Sequence, residues 1–166
     1  MSAYTIWGCN FSIKKSVLLE IGGFHPDGMP KEQLLYRGDG EIAVARKITT
    51  LGHKSLYNPN VLIHHWVPTK RMTYDYIYEW AYRAGISSSY SRIREKNKIP
   101  NIHFIHLLKE IRHIRITCKV IKNKTERKTI QNNYIKGLIK GYKTHVKAVK
   151  KDRSLLQWIL KESYLV

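Results

Sequence analysis

Apolar residues in the second half of this chain recur at a helical period with basic residues beside them, which restricts that half to amphipathic helices. Ile135, Leu138, Ile139, Tyr142, Val146 and Val149 fall on one helix face, and Lys136, Lys140, Lys143, Lys147 and Lys150 flank it. A second stripe runs through Phe104, Leu107, Leu108, Ile111, Ile114, Cys118 and Ile121, bordered by Lys109, Arg112, Arg115 and Lys119. Asn123-Lys124-Thr125 is the expected break between the two helices. Gly137 and Gly141 stand four residues apart with Lys140 between them, a spacing read as a close helix contact inside the folded protein.

The charge is equally uneven. Residues 91–166 hold 20 Lys and Arg against 5 Asp and Glu, a net +15, whereas residues 1–90 hold 10 against 7, a net +3. Such asymmetry marks an anionic partner for the basic part, either nucleic acid or an acidic membrane surface. A hydrophobic content of 43% excludes a disordered chain. Two cysteines, Cys9 and Cys118, are too few for a disulfide framework and fit a reducing compartment. No stretch reaches the ~18 apolar residues of a membrane span, and the first residues lack the shape of a signal peptide. The expectation is a soluble or peripheral chain in the cytoplasm.

The first half is cut into short pieces by Gly and Pro. Tyr4–Trp7, Lys54–Tyr57 and Val61–His65 are rich in β-branched and aromatic residues and read as short strands. Ser16–Ile21 reads as a helix stopped by Gly22-Gly23, and Phe24–Pro30 as loop. Gly38-Asp39-Gly40-Glu41 opens a helix over Ile42–Leu51 that Gly52 closes, and Thr73 caps another running to about Gly85. Alternating strands and helices point to an α/β or α+β layer over residues 1–95, read as α/β, followed by a basic α-helical region over 96–166.

Acidic, histidine and glycine residues are densest between Gly8 and Arg71. A carboxylate at Asp39 or Glu41 could act as general base or hold a divalent cation; the alternative is an acidic first turn that serves only the helix dipole. His64 and His65 end a predicted strand, so their side chains point to opposite faces and only one can enter a given site. Lys70 and Arg71 could bind phosphate, or form a solvated loop. His103, His106 and His113 lack a carboxylate at ligand spacing and are expected at the surface or an interface. Cys9 has no candidate base beside it in sequence. There is no nucleophile elbow, P-loop or dinucleotide fingerprint.

Taken in order, Trp7-Gly8-Cys9-Asn10-Phe11, Ile21-Gly22-Gly23-Phe24, Arg37-Gly38-Asp39-Gly40-Glu41, Tyr57-Asn58-Pro59, and His65 with Val67-Pro68 and Arg71 form a pattern. Over residues 4–95 it resembles the second half of a family 2 glycosyltransferase of GT-A fold. The resemblance implies inverting transfer from a nucleotide-diphosphate sugar to a hydroxyl of a glycan or lipid-linked acceptor. It implies Glu41 as the base with Asp39 supporting it, and Gly8, Asn10, Gly40 and Arg71 on the substrates. His65 would complete a site for Mg²⁺ or Mn²⁺. The family's nucleotide-binding half has no counterpart here, so the expectation is a truncated or split enzyme with weak nucleotide-sugar binding of its own.

The basic region then has two readings: a helix lying on the inner face of an anionic membrane, or a helical cap over the catalytic layer. A nucleic-acid-binding module is the rival function, and a non-catalytic interaction subunit a third; no RNA- or DNA-binding motif accompanies the charge.

Overall fold

The computed structural model describes residues 8–101 and 107–165. Among the described residues six α-helices carry the fold: α1 (Lys15–Glu20), α2 (Gly40–Thr50), α3 (Tyr74–Lys96), α4 (Leu108–Thr117), α5 (Lys124–Lys151) and α6 (Arg153–Leu160), with 3-10 turns at Lys31–Tyr36, Thr69–Met72 and Cys118–Val120.

Side-chain caps set several of these boundaries. The Thr73 hydroxyl accepts a hydrogen bond from the Tyr76 N–H at 3.2 Å, and α3 ends at Asn97, which takes the left-handed conformation at φ 46°. Asn123 opens α5 by accepting from the N–H groups of Thr125 at 3.0 Å and Glu126 at 3.1 Å. At the joint between α5 and α6, Asp152 accepts from Ser154 N–H at 2.8 Å and Leu155 N–H at 3.2 Å, so the chain bends and a new helix begins.

Helices α3 and α5 run parallel and form the spine. Gly137 lies against Tyr78, Gly141 against Tyr82, Gly85 against Leu138 and Tyr142, and Ser89 against His145, so positions on both helices advance together. A methyl group on Gly141 would lie 2.8 Å from the Tyr82 carbonyl carbon, and one on Gly85 would lie 2.7 Å from the Tyr142 nitrogen. The expected close contact at Gly137 and Gly141 is therefore made, and α3 is its partner. The same contact explains why α3 continues past Gly85, where the sequence predicts its end: this glycine is a packing site rather than a stop.

One core lies along the spine, where Ala81, Leu138, Tyr142 and Val146 meet Leu107. A second joins Tyr90 and Ile93 of α3 to Val149 of α5 and to Leu155 and Ile159 of α6. Both cores draw on residues from each side of the expected boundary at 95/96. A third, smaller core of Ile21, Val44, Ala45 and Ile48 ties the end of α1 to α2.

The expected α/β layer is not formed. Among the described residues there is no sheet, only an isolated antiparallel bridge between His25 and Gly40, and the fold is all-helical. Lys54–Tyr57 and Val61–His65 have strand-forming residues but no helix or strand structure. A β-ladder is made by pairing, and among the described residues no segment pairs its backbone with these two. The third predicted strand, Tyr4–Trp7, lies outside the described residues, as do Phe104, His103 and His106.

The basic region is helical, as expected, and the apolar stripe of α5 is covered. Leu138, Tyr142, Val146 and Val149 are buried in the two cores, whereas Lys136, Lys140, Lys147 and Lys150 are exposed. This geometry is that of a helical cap whose basic side faces out. No described helix is long and apolar enough to cross a membrane.

Candidate functional site

Two loops pressed together make the floor of the site. The Gly38 N–H donates to the Pro26 carbonyl at 2.5 Å, and His25 bridges Gly40. The fit leaves no room for side chains. A methyl group on Gly38 would lie 2.9 Å from both the His25 Cβ and the Pro26 oxygen, and one on Gly40 would lie 2.7 Å from Asp27 Oδ2. Gly40 also has φ +49°, a conformation that favours glycine. The two glycines flanking Asp39 thus let helix α2 begin directly against the Phe24–Gly28 loop.

Above this floor is a surface hollow of about 570 Å³, with Gly8, Cys9, His25, Asp27, Gly40 and Glu41 among its lining residues. Its size falls within the usual range of small-molecule sites. The Glu41 side chain, in the first turn of α2, reaches Gly8, whose N–H donates to Oε1 at 3.3 Å. Motifs 33 residues apart in sequence therefore meet at one edge of the hollow.

Asp39 has a different place. It is buried, with the His25 Nδ1–H donating to Oδ1 at 3.1 Å and the Ser91 hydroxyl donating to Oδ2 at 2.6 Å. Arg46 approaches Oδ2 at 3.5 Å while pairing with Glu95 at 2.7 Å. Burial by itself would raise the Asp39 carboxyl pKa. The hydrogen bonds from His25 and Ser91 and the charges of His25 and Arg46 outweigh it and hold the carboxyl below its ordinary range. With both oxygens engaged, Asp39 is a positioning residue that holds His25 and anchors α2 to α3.

His25 is the residue that sequence reasoning missed. It is buried against Tyr90 and Tyr164, its Nδ1 is committed to Asp39, and its buried Nε2 has no hydrogen-bond partner among the described residues. The sequence shows only Phe24-His25-Pro26 in a loop, and the 14-residue gap to Asp39 matches no local spacing rule.

The remaining predicted site residues lie elsewhere. Asn10 donates from Nδ2 to the Val61 carbonyl at 3.0 Å and is not among the lining residues. Arg71 sits over the ring of Tyr76 at 5.9 Å, in a 3-10 turn on the approach to α3. His65 is exposed and does not line the hollow. Among the described residues, no group of three or more His, Cys, Asp or Glu side chains is placed to hold a metal ion. The described residues thus assemble no site for the divalent cation that the resemblance implies. His113, predicted at the surface, is exposed on α4.

No family model, curated protein or solved structure matches this chain.

Proposed function

We propose that the hollow beside Glu41 is a sugar-transfer site, acting with inversion between a nucleotide-diphosphate sugar and the hydroxyl of a glycan or lipid-linked acceptor. The observation that carries this reading is the contact between Glu41 and the Gly8 N–H at the edge of a ligand-sized hollow. It supports the reading because the sequence resemblance assigns these two positions to one site.

In the reaction, an acceptor hydroxyl enters the hollow and Glu41 takes its proton. The acceptor oxygen forms its bond to the anomeric carbon as the bond from that carbon to the diphosphate oxygen breaks. The electron pair leaves with the nucleoside diphosphate. Glu41 suits the base better than Asp39, because its carboxylate borders the hollow while that of Asp39 is enclosed by His25, Ser91 and Arg46. Asp39 then serves the site by fixing the start of α2, and with it the direction of Glu41.

The test is transfer from radiolabelled UDP- and GDP-sugars, at high donor concentration, to glycan and lipid-linked acceptors. Glu41→Gln should lower the rate by roughly 10²–10⁴-fold, the usual contribution of a general base, without changing the melting temperature. Full activity in Glu41→Gln, or no transfer from any donor by the parent chain, would overturn the proposal.

A further inference from the structure

Residues 56–67 form the most unusual surface of this protein. All twelve are exposed, and they include Leu56, Tyr57, Val61, Leu62, Ile63, Trp66 and Val67. Leu56 is 96% exposed, Trp66 80% and Leu62 73%. Scattered apolar side chains on a surface are ordinary, but seven in one continuous stretch mark an interaction site.

The chemistry around the stretch narrows the partner. Lys54 precedes it, Lys70 and Arg71 follow it, and no Asp or Glu occurs between Glu41 and Asp75. The chain's positive charge also includes exposed Lys136, Lys140, Lys147 and Lys150 of α5, with no acidic residue from 127 to 151. Apolar and aromatic side chains bracketed by cations, on a chain of net charge +18, are complementary to an anionic lipid surface. Trp66 and Tyr57 are residue types that favour the boundary between head groups and acyl chains. Val61, Leu62 and Ile63 are consecutive and all exposed, so the segment turns none of the three into the protein. At the head-group boundary, water and head groups still satisfy the backbone.

We infer that residues 56–67 insert into the head-group boundary of an anionic bilayer, with Lys54, Lys70 and Arg71 at the ends of the segment and the net positive charge of the chain drawing the protein to it. The role expected for the stripe of α5 thus passes to a different segment, because that stripe is buried against α3. This inference is independent of sugar transfer.

The test is sedimentation of the full chain with phosphatidylcholine vesicles, and with the same vesicles containing phosphatidylglycerol. The chain should pellet with the anionic vesicles, and added salt should weaken binding. Leu62→Ser with Trp66→Ser should weaken partitioning by roughly tenfold or more, since two large apolar side chains no longer insert. Brominated lipids should quench the tryptophan emission of the parent chain, and Trp66→Phe should remove most of that quenching. This second measurement does not depend on how the double variant folds. Absence of pelleting with anionic vesicles would overturn the inference. Equal pelleting of parent and double variant without bromine quenching would reduce it to surface adhesion, and also overturn it. Lipid-free self-association, lost in the double variant, would assign the segment to a second copy instead.

Discussion

Replacing Gly141 by alanine sets two effects of opposite sign against each other. On helix propensity alone the change stabilises α5, because alanine is favoured over glycine by about 1 kcal/mol in a helix interior. In the folded chain the added methyl falls on the backbone of Tyr82, 2.8 Å from its carbonyl carbon and 3.1 Å from its Cα. A flexible side chain could rotate away; a helix backbone cannot. Relief therefore requires α3 and α5 to separate, which loosens the core formed by Ala81, Leu138, Tyr142 and Val146. Overpacking costs about 1–3 kcal/mol, and a backbone obstacle belongs at the upper end of that range. Subtracting the propensity gain leaves a net loss of about 2 kcal/mol. For a chain of this size that is a fall in melting temperature of roughly 4–8 °C. Thermal unfolding followed by helical circular dichroism would measure it, with Asn132→Ala on the exposed side of α5 as the propensity control. An unchanged or higher melting temperature in Gly141→Ala would show that the two helices do not meet at this point.

His145 predicts a pH effect. Fully buried, it donates from Nε2 to the Leu35 carbonyl at 3.0 Å and accepts from the Ser89 hydroxyl at 2.8 Å. Burial lowers its pKa from 6.5 to about 4, against the opposing Leu35 bond. Between those values the unfolded chain binds the proton and the folded chain does not. Stability is therefore full above pH 6.5 and falls by about 3 kcal/mol as pH drops to 4. Urea unfolding of His145→Gln should show a shallower decline over that window, and an identical slope would exclude the histidine as its source. Asp39 acts lower: its folded pKa is depressed, so its contribution is present above the ordinary carboxylate value of 3.8 and is lost as pH falls through the folded value. Asp39→Asn removes the anion between His25 and Arg46 and should cost about 3 kcal/mol at neutral pH. Glu41→Gln, on the edge of the hollow, should leave the unfolding midpoint in place, and a shift as large as that of Asp39→Asn would make Glu41 structural.

Some of this was legible in the chain and some was not. Asn123 marks the start of α5 because an Asx side chain binds the N–H groups two and three residues on, a purely local event. The helices ahead of Gly22 and Gly52 were visible from the same kind of signal. Glu41 was placed in the first turn of α2 by the run Gly38–Glu41, whereas its contact with Gly8, 33 residues away, follows no local spacing rule. The division of labour between Asp39 and Glu41 was not visible. Asp39 is enclosed by His25, 14 residues away, and Ser91, 52 residues away, and no spacing rule links these three.

What the sequence alone determined is therefore local: helical period, end caps, the basic face of α5, and the need for close approach at Gly137 and Gly141. Tertiary structure decided which partner those glycines meet, which carboxylate stays at the hollow, and that the strand-like residues 54–65 form no sheet. The physical reason is the range of the interactions. A helix closes its hydrogen bonds within four residues and so is written in its own sequence. A strand, a buried ion pair and a helix interface each require a second segment, and their outcome depends on where the rest of the chain has folded.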